Sequence, residues 1–273
     1  MNNSRSKLIA VNFKMNFDHL EMTHYLQKLA WLLYDANHDY TKVQVLLLAP
    51  FTALRSIQTL VTADSLPIMY GSQDVSSYRS GAYTGEISAA QLAKLGVSYS
   101  LIGHTERRKY HNEDDDLVLK KATRALEVSI KPIICIGEED EEVREHPDFD
   151  FLFRQLNPIV QKINKVGKDD VIPFLENVVI AYEPHWSVSN GKTCTPSFLQ
   201  DALAGIRAHI TEELGEVAAN KISLVYGGSV NLNSVAGLIT EPDIDGLLIG
   251  KAALDPESFA KILRLVSKVV ESN

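Results

Sequence analysis

The chain has 273 residues, 45% apolar and 23% charged, with 15 Gly and 10 Pro, proportions that exclude disorder, collagen and coiled coil and fit one large domain or two small ones. Its 27 Lys and Arg against 35 Asp and Glu leave a net charge of −8, so neither nucleic acid nor a membrane surface is expected as a partner, and an anionic ligand has to be captured locally. Cys135 and Cys194 make neither a disulfide framework nor a metal-ligand cluster, residues 1–7 are polar, and no run of about 18 apolar residues occurs, so a cytoplasmic protein is expected.

Short β-branched and apolar runs bounded by turn residues predict strands at 8–13, 43–49, 68–71, 99–103, 132–137, 178–182, 222–226 and 246–250, each buried on both faces. Helical spacing fills the gaps. Residues 19–37 place Leu20, Tyr25, Leu26, Leu29, Leu32 and Leu33 on one side, and residues 117–128 do the same with Leu117, Val118, Ala122, Ala125 and Leu126. Caps mark further helix starts at Ser88, at Thr195 before Pro196, and at Asp255 before Pro256.

Strands and helices alternate to the end, which implies parallel strands joined by right-handed crossovers, and eight such units fit a closed (β/α)8 TIM barrel of the α/β class. A doubly wound open sheet is the alternative that the pattern leaves open. No linker rich in Pro, Gly or Ser divides the chain, so residues 1–273 are expected to form a single domain. The polar stretches 138–142 and 144–170 read as a solvated loop and helix, with the fifth unit modestly enlarged.

In such a barrel the chemistry sits at the C-terminal ends of the strands. There the chain places Asn12-Phe13-Lys14, Gln73-Asp74, His104-Thr105-Glu106-Arg107-Arg108, Glu138, Glu183, Gly227-Gly228-Ser229 and Gly250-Lys251. Each alone has a structural explanation as a surface charge, a helix start or an ion-pair partner. Together, a carboxylate, an imidazole and an ammonium on one rim can move a proton beside a carbonyl. The glycines after the seventh and eighth strands suit a phosphate held by backbone N–H groups, the alternative being tight turns in which Gly supplies φ > 0. Neither GxGxxG nor a Walker sequence occurs, so a dinucleotide or nucleoside triphosphate is not expected.

Six segments carry a resemblance along nearly the whole chain: Val11-Asn12-Phe13-Lys14-Met15-Asn16, Gly81-Ala82-Tyr83-Thr84-Gly85-Glu86, Gly103-His104-Thr105-Glu106-Arg107-Arg108, Ile134-Cys135-Ile136-Gly137-Glu138, Ala181-Tyr182-Glu183-Pro184 through Gly191-Lys192-Thr193, and Tyr226-Gly227-Gly228-Ser229-Val230. In these the sequence resembles the triosephosphate isomerase family. The resemblance implies interconversion of D-glyceraldehyde 3-phosphate and dihydroxyacetone phosphate. Glu183 matches the carboxylate base, His104 the neutral imidazole that serves the substrate oxygens, Lys14 the cation facing the enediolate, Asn12 an orienting amide, and Glu106 a carboxylate beside the cluster. It further implies a small phosphorylated sugar as ligand, held around Ser189, Ser229, Gly250 and Lys251, no metal or organic cofactor, a lid at 184–193, and a homodimer in which Thr84 reaches the neighbouring subunit's site.

Several positions depart from the family pattern. Where the lid usually reads Pro-Val-Trp-Ala-Ile-Gly-Thr-Gly-Lys, this chain has Pro184-His185-Trp186-Ser187-Val188-Ser189-Asn190-Gly191-Lys192, and Lys251 replaces a second Gly. Ser189 would be strained if its position required φ > 0. Asp74 and Phe13 also differ from the usual residues. The altered lid and phosphate grip keep two alternatives in view, an isomerase of a four-carbon tetrulose phosphate and a sugar-phosphate-binding barrel without turnover.

Overall fold

The computed structural model describes residues 6–139, 144–165 and 177–272, without the side chains of Asn164, Ser189 and Asn190. Eight parallel strands close a barrel in sequence order: β1 (Lys7–Asn12), β2 (Val43–Ala49), β3 (Met69–Ser72), β4 (Tyr99–Ile102), β5 (Lys131–Ile136), β6 (Val179–Tyr182), β7 (Ser223–Tyr226) and β8 (Gly246–Ile249). The ring shuts where β1 pairs with β8, Leu8 opposite Gly246 and Val11 opposite Ile249. A single (β/α)8 barrel is therefore the architecture, and each expected strand end lies within one residue of the observed one.

The helices described around the barrel are α1 (His19–Asp35), α2 (Leu54–Ala63), α3 (Ala89–Lys94), α4 (Thr105–His111), α5 (Asp115–Leu126), α6 (Phe149–Asn164), α7 (His185–Asn190), α8 (Pro196–Leu214), α9 (Glu216–Ala219), α10 (Val235–Ile239) and α11 (Pro256–Ser272). Ser88 caps α3 through Gln91 N–H and Thr195 caps α8 ahead of Pro196, both where the sequence places them. Asp255 accepts from Ser258 N–H at 2.8 Å at the start of α11.

Alternation along each strand divides the apolar side chains into two cores. Leu8, Ala10, Leu46, Leu48, Leu101 and Val179 belong to a cluster made of strand residues, the barrel interior. Ile9, Val11, Val45, Leu47, Ile134 and Ile180 join the larger cluster with the helices. The same period of two carries the inward-facing set to Asn12 at the end of β1 and to Glu183 and Gly227 one step beyond β6 and β7. The site is thus positioned by strand parity.

Two expectations need correction. In α1 the buried face is Met22, Tyr25, Leu26, Leu29 and Leu33, whereas Leu20 is 57% exposed, because 3.6 residues per turn puts it on the side opposite Met22 and Leu29. The polar segment 144–170 is more than solvated cover where it is described, since α6 buries Leu152, Leu156, Ile159, Val160 and Ile163. Glu138, expected in a solvated stretch, is buried as well. Residues 140–143 and 166–176 lie outside the described residues.

A pair of ion pairs on one arginine ties the outer layer to the barrel. Arg207 of α8 donates from Nε to Asp243 Oδ1 at 2.5 Å, from Nη2 to Asp245 Oδ2 at 2.7 Å and from Nη1 to the Ala219 carbonyl at 2.8 Å. Asp245 Oδ2 also accepts the Leu224 N–H of β7 at 2.9 Å. Removing Asp245 leaves Arg207 with Asp243 as its remaining carboxylate and the buried Leu224 N–H without this acceptor, both costly in a buried setting. Asp245→Ala is expected to lower unfolding stability by about 3 kcal/mol, read by urea denaturation with the m-value unchanged; a loss under about 1 kcal/mol would contradict the assignment of Asp245 as the anchor of this corner.

Candidate active site

The site is built where β4, β6 and β7 end. Gly103 leaves β4 at φ +67°, and the chain turns straight into α4 with His104 at its N-cap. His104 Nδ1 accepts the Glu106 backbone N–H at 3.1 Å. A ring nitrogen that accepts from a peptide N–H carries no proton, which leaves the proton of the neutral ring on Nε2. That nitrogen faces Glu183 Oε1 at 3.5 Å.

Glu183 follows β6 and is 2% exposed. Its Oε2 accepts both the N–H and the hydroxyl of Thr105, each at 3.1 Å. Among the described residues no Lys or Arg pairs with it. The Cys135 thiol lies against the same carboxylate, and burial, aided by the Glu183 charge, pushes its pKa well up, so it stays a thiol. The carboxylate is thereby held by neutral donors and keeps its acceptor capacity for substrate.

Two glycines leave the room it needs. A Cβ on Gly227 would lie 2.7 Å from Glu183 Cγ and 2.9 Å from Oε1, and one on Gly137 would lie 2.0 Å from the Glu183 carbonyl oxygen. Neither Gly227 nor Gly228 has positive φ, so the glycine pair serves close approach and not a left-handed turn; a Cβ on Gly228 would meet Tyr226 Oη at 2.3 Å.

Lys14 sits at φ +51°, a strained position for a side chain with a Cβ, and its N–H donates to Asn12 Oδ1 at 2.9 Å. Its ammonium meets Glu106 Oε1 at 2.5 Å, and the other Glu106 oxygen lies 3.6 Å from His104 Nδ1. Asn12, Lys14, His104, Glu183, Ser229, Gly250 and Lys251 line one cavity of about 1010 Å3. Glu106 adjoins it through Lys14. Lys251 begins a short 3-10 turn, is exposed, and makes no ion pair among the described residues. Thr84 lies on an exposed loop outside this cavity.

The lid segment contains α7, with Gly191 as its left-handed cap at φ +67°. Ser189 is inside α7, so helical backbone is all its position requires here; its side chain lies outside the described residues. At the first hinge His185 N–H donates to the Glu138 carbonyl at 3.1 Å, and His185 Nδ1 lies 2.9 Å from the Glu139 carbonyl oxygen. The Glu138 carboxylate accepts the Tyr182 hydroxyl at 2.9 Å and the Asp148 N–H at 3.0 Å. At the other end Ser229 Oγ donates to the Gly191 carbonyl at 2.8 Å. Trp186 packs edge-on against Phe198, and its Nε1 is buried without a partner among the described residues.

Asp74 stands beside the site in a buried cluster, 2.7 Å from Lys121 Nζ and 3.0 Å from Arg107 Nη2, with Glu113 bonded to both cations. Burial, reinforced by Glu113, raises its pKa against the two cations. The sequence reading names the base, the imidazole and the ammonium, and they converge. It passes over the roles of Thr105, Cys135, Ser187 and Tyr226, of which only Ser187 carried a visible signal, as a departure in the lid.

The family model of triosephosphate isomerase matches residues 7–266. Curated relatives named triosephosphate isomerase are similar over almost the whole chain: one from Bifidobacterium longum is 43% identical over 272 residues, covering 100% of this chain and 99% of the relative. One from Leifsonia xyli is 45% identical over 266 residues, covering 97% and 99%, and one from Corynebacterium efficiens is 45% identical over 259 residues, covering 95% of each.

Gly227→Ala tests whether the bare backbone holds the carboxylate in place. The added methyl is expected to displace Glu183 and lower kcat about 100-fold, as a shift of about 1 Å does at a reacting centre, with little change in thermal stability. Unchanged turnover in steady-state assays would contradict this role for the glycine.

Proposed function

The chain belongs to the triosephosphate isomerase family and is an aldose–ketose isomerase, and on that premise we propose how its own residues interconvert D-glyceraldehyde 3-phosphate and dihydroxyacetone phosphate. The observation that carries the reading is a buried carboxylate, free of any cation among the described residues, 3.5 Å from the Nε2 of an imidazole whose other nitrogen is occupied by a backbone N–H. Glu183 takes a proton from the carbon beside the carbonyl. The electron pair moves to the carbonyl oxygen and gives an enediolate. His104 donates its Nε2 proton to one oxygen and recovers a proton from the other, and Glu183 returns its proton to the neighbouring carbon.

Lys14 faces the developing negative charge as a fixed cation, and Asn12 holds the Lys14 backbone in its strained conformation. Glu106 anchors the ammonium. The phosphate is assigned to the loops around Ser189, Ser229, Gly250 and Lys251, with the lid over them; the Ser229 N–H is itself engaged by Ser187 Oγ at 3.1 Å, so the remaining backbone N–H groups there are the donors, and fixed donors act best because closure excludes water. General base catalysis of this kind contributes about 100- to 10,000-fold and an oxyanion donor about 100- to 1,000-fold.

The active form is assigned as a homodimer of single-domain subunits in the cytoplasm. Supporting the dimer, Met15 is 98% exposed beside the site, and Tyr78 and Tyr83, stacked at 3.6 Å, are 46% and 42% exposed near Thr84, an apolar surface that association would cover.

A coupled assay offering three- and four-carbon ketose phosphates side by side is expected to give rapid turnover of the triose phosphate; turnover of the four-carbon sugar alone would contradict the substrate. Glu183→Gln is expected to lower kcat about 1,000-fold while a phosphorylated enediolate mimic still binds, because the amide cannot accept the proton. Unimpaired kcat would remove Glu183 as the base. Lys251→Gly is expected to raise KM about threefold at low ionic strength, with the difference fading in high salt as an ammonium–phosphate attraction is screened; the same KM at low salt would assign Lys251 to solvent.

A further inference from the structure

The mechanism leaves unused a hydroxyl buried inside the lid. Ser187 is 0% exposed. Its Oγ donates to the Lys192 carbonyl at 2.7 Å, lies 2.7 Å from Tyr226 Oη, and accepts the Ser229 N–H at 3.1 Å. A hydroxyl has one proton and two lone pairs. Because the proton goes to a carbonyl, Tyr226 is the donor in the second bond, and all three capacities of the oxygen are filled.

The partners lie on two pieces of the molecule. Lys192 is at the far end of the lid, so one bond closes the lid segment on itself across α7. Tyr226 and Ser229 belong to β7 and the loop after it, so the other two fasten the lid to the barrel. Burial pushes the Tyr226 phenol far up, and the Cys194 backbone N–H and thiol lie against it; Tyr226 therefore keeps its proton and remains a donor. Gly228, bare beside the Tyr226 ring, lets that ring reach the lid.

We propose that Ser187 is a lid-positioning residue, a three-bond node that holds the lid docked on the loop after β7 between turnovers. Removing the Ser187 hydroxyl removes all three bonds at once and shifts the lid toward the undocked state. A ligand that needs the docked lid binds with an apparent affinity reduced by the undocked fraction. The hydroxyl touches no reacting atom, so its effect falls on binding and not on the proton transfers.

The inference rests on the isomerase reading for its kinetic arm and is independent of it for its binding arm. Ser187→Ala is expected to raise KM for the triose phosphate about tenfold and to weaken competitive binding of inorganic phosphate by a similar factor, with kcat within about twofold and the pH profile of kcat unchanged. Tyr226→Phe removes one of the same bonds from the other side, together with the contact to Cys194, and is expected to raise KM, the further effect of Ser187→Ala being smaller in the Tyr226→Phe background than in the unaltered protein. In a Trp31→Phe background, Trp186 emission in the absence of ligand is expected to change in Ser187→Ala toward a more solvated indole. Should Ser187→Ala not fold, Tyr226→Phe carries the test.

A folded Ser187→Ala protein with unchanged KM and unchanged phosphate binding would overturn the proposal, as would kcat falling in step with KM and emission unchanged. Absence of turnover in the unaltered protein would count against the isomerase reading, and phosphate titration of the two proteins would still decide the role of Ser187.

Discussion

The site depends on keeping one carboxylate buried without giving it a counter-ion. Glu183 is 2% exposed, and an unpaired buried charge is costly unless hydrogen bonds replace its hydration. Thr105 supplies two of them, from its N–H and its hydroxyl. A Lys or Arg would stabilise the charge more strongly but would occupy the oxygens that have to take a proton. The start of α4 provides the alternative, because a helix N-terminus presents backbone donors together with partial positive charge.

That requirement shapes the neighbourhood. The end of β6 delivers Glu183 inward, and Gly137 and Gly227 clear the backbone and side-chain space around it. The turn that brings Thr105 to the carboxylate also makes His104 an N-cap, so one helix start fixes both the carboxylate and the tautomer of the imidazole. Lys14 is turned toward Glu106 and away from Glu183 by a left-handed backbone held by Asn12. The ammonium is thus paired with Glu106 and leaves the Glu183 carboxylate without a cation among the described residues. The lid completes the enclosure, hinged on buried Glu138 at one end and fastened near Ser187 and Ser229 at the other.

The strands were legible because each is a short, mostly apolar run with turn residues at its ends; the side of the rim that Asn12 and Glu183 occupy follows from the parity within each strand, which the structure shows. Periodicity misled at Leu20, where an apolar residue in a first helical turn lies off the buried stripe. The polar look of the segment after β5 hid the apolar face of α6, since its charged residues share the same few turns with Leu152, Leu156 and Ile159. What composition could not convey was the reason for glycine: a turn and a close approach to another side chain ask for the same residue, and only coordinates distinguish Gly191, at φ +67°, from Gly227, which is bare for the sake of Glu183. Thr105 was hidden for a similar reason, and Ser187 showed only as a departure in the lid, as short hydroxyl side chains acquire a role from partners that sequence does not display.

The central claim is that Glu183 carries the substrate's proton from one carbon to the next through an intermediate open to exchange. Running the reaction from dihydroxyacetone phosphate in D2O, with the aldose trapped by a coupling enzyme and its product read by 1H NMR, tests this directly. A proton carried on a carboxylate is expected to exchange with solvent in a substantial fraction of turnovers and leave deuterium at C2 of the aldose. An aldose formed at the full rate with no deuterium at C2 would mean that hydrogen passes directly between the carbons, and would contradict the account.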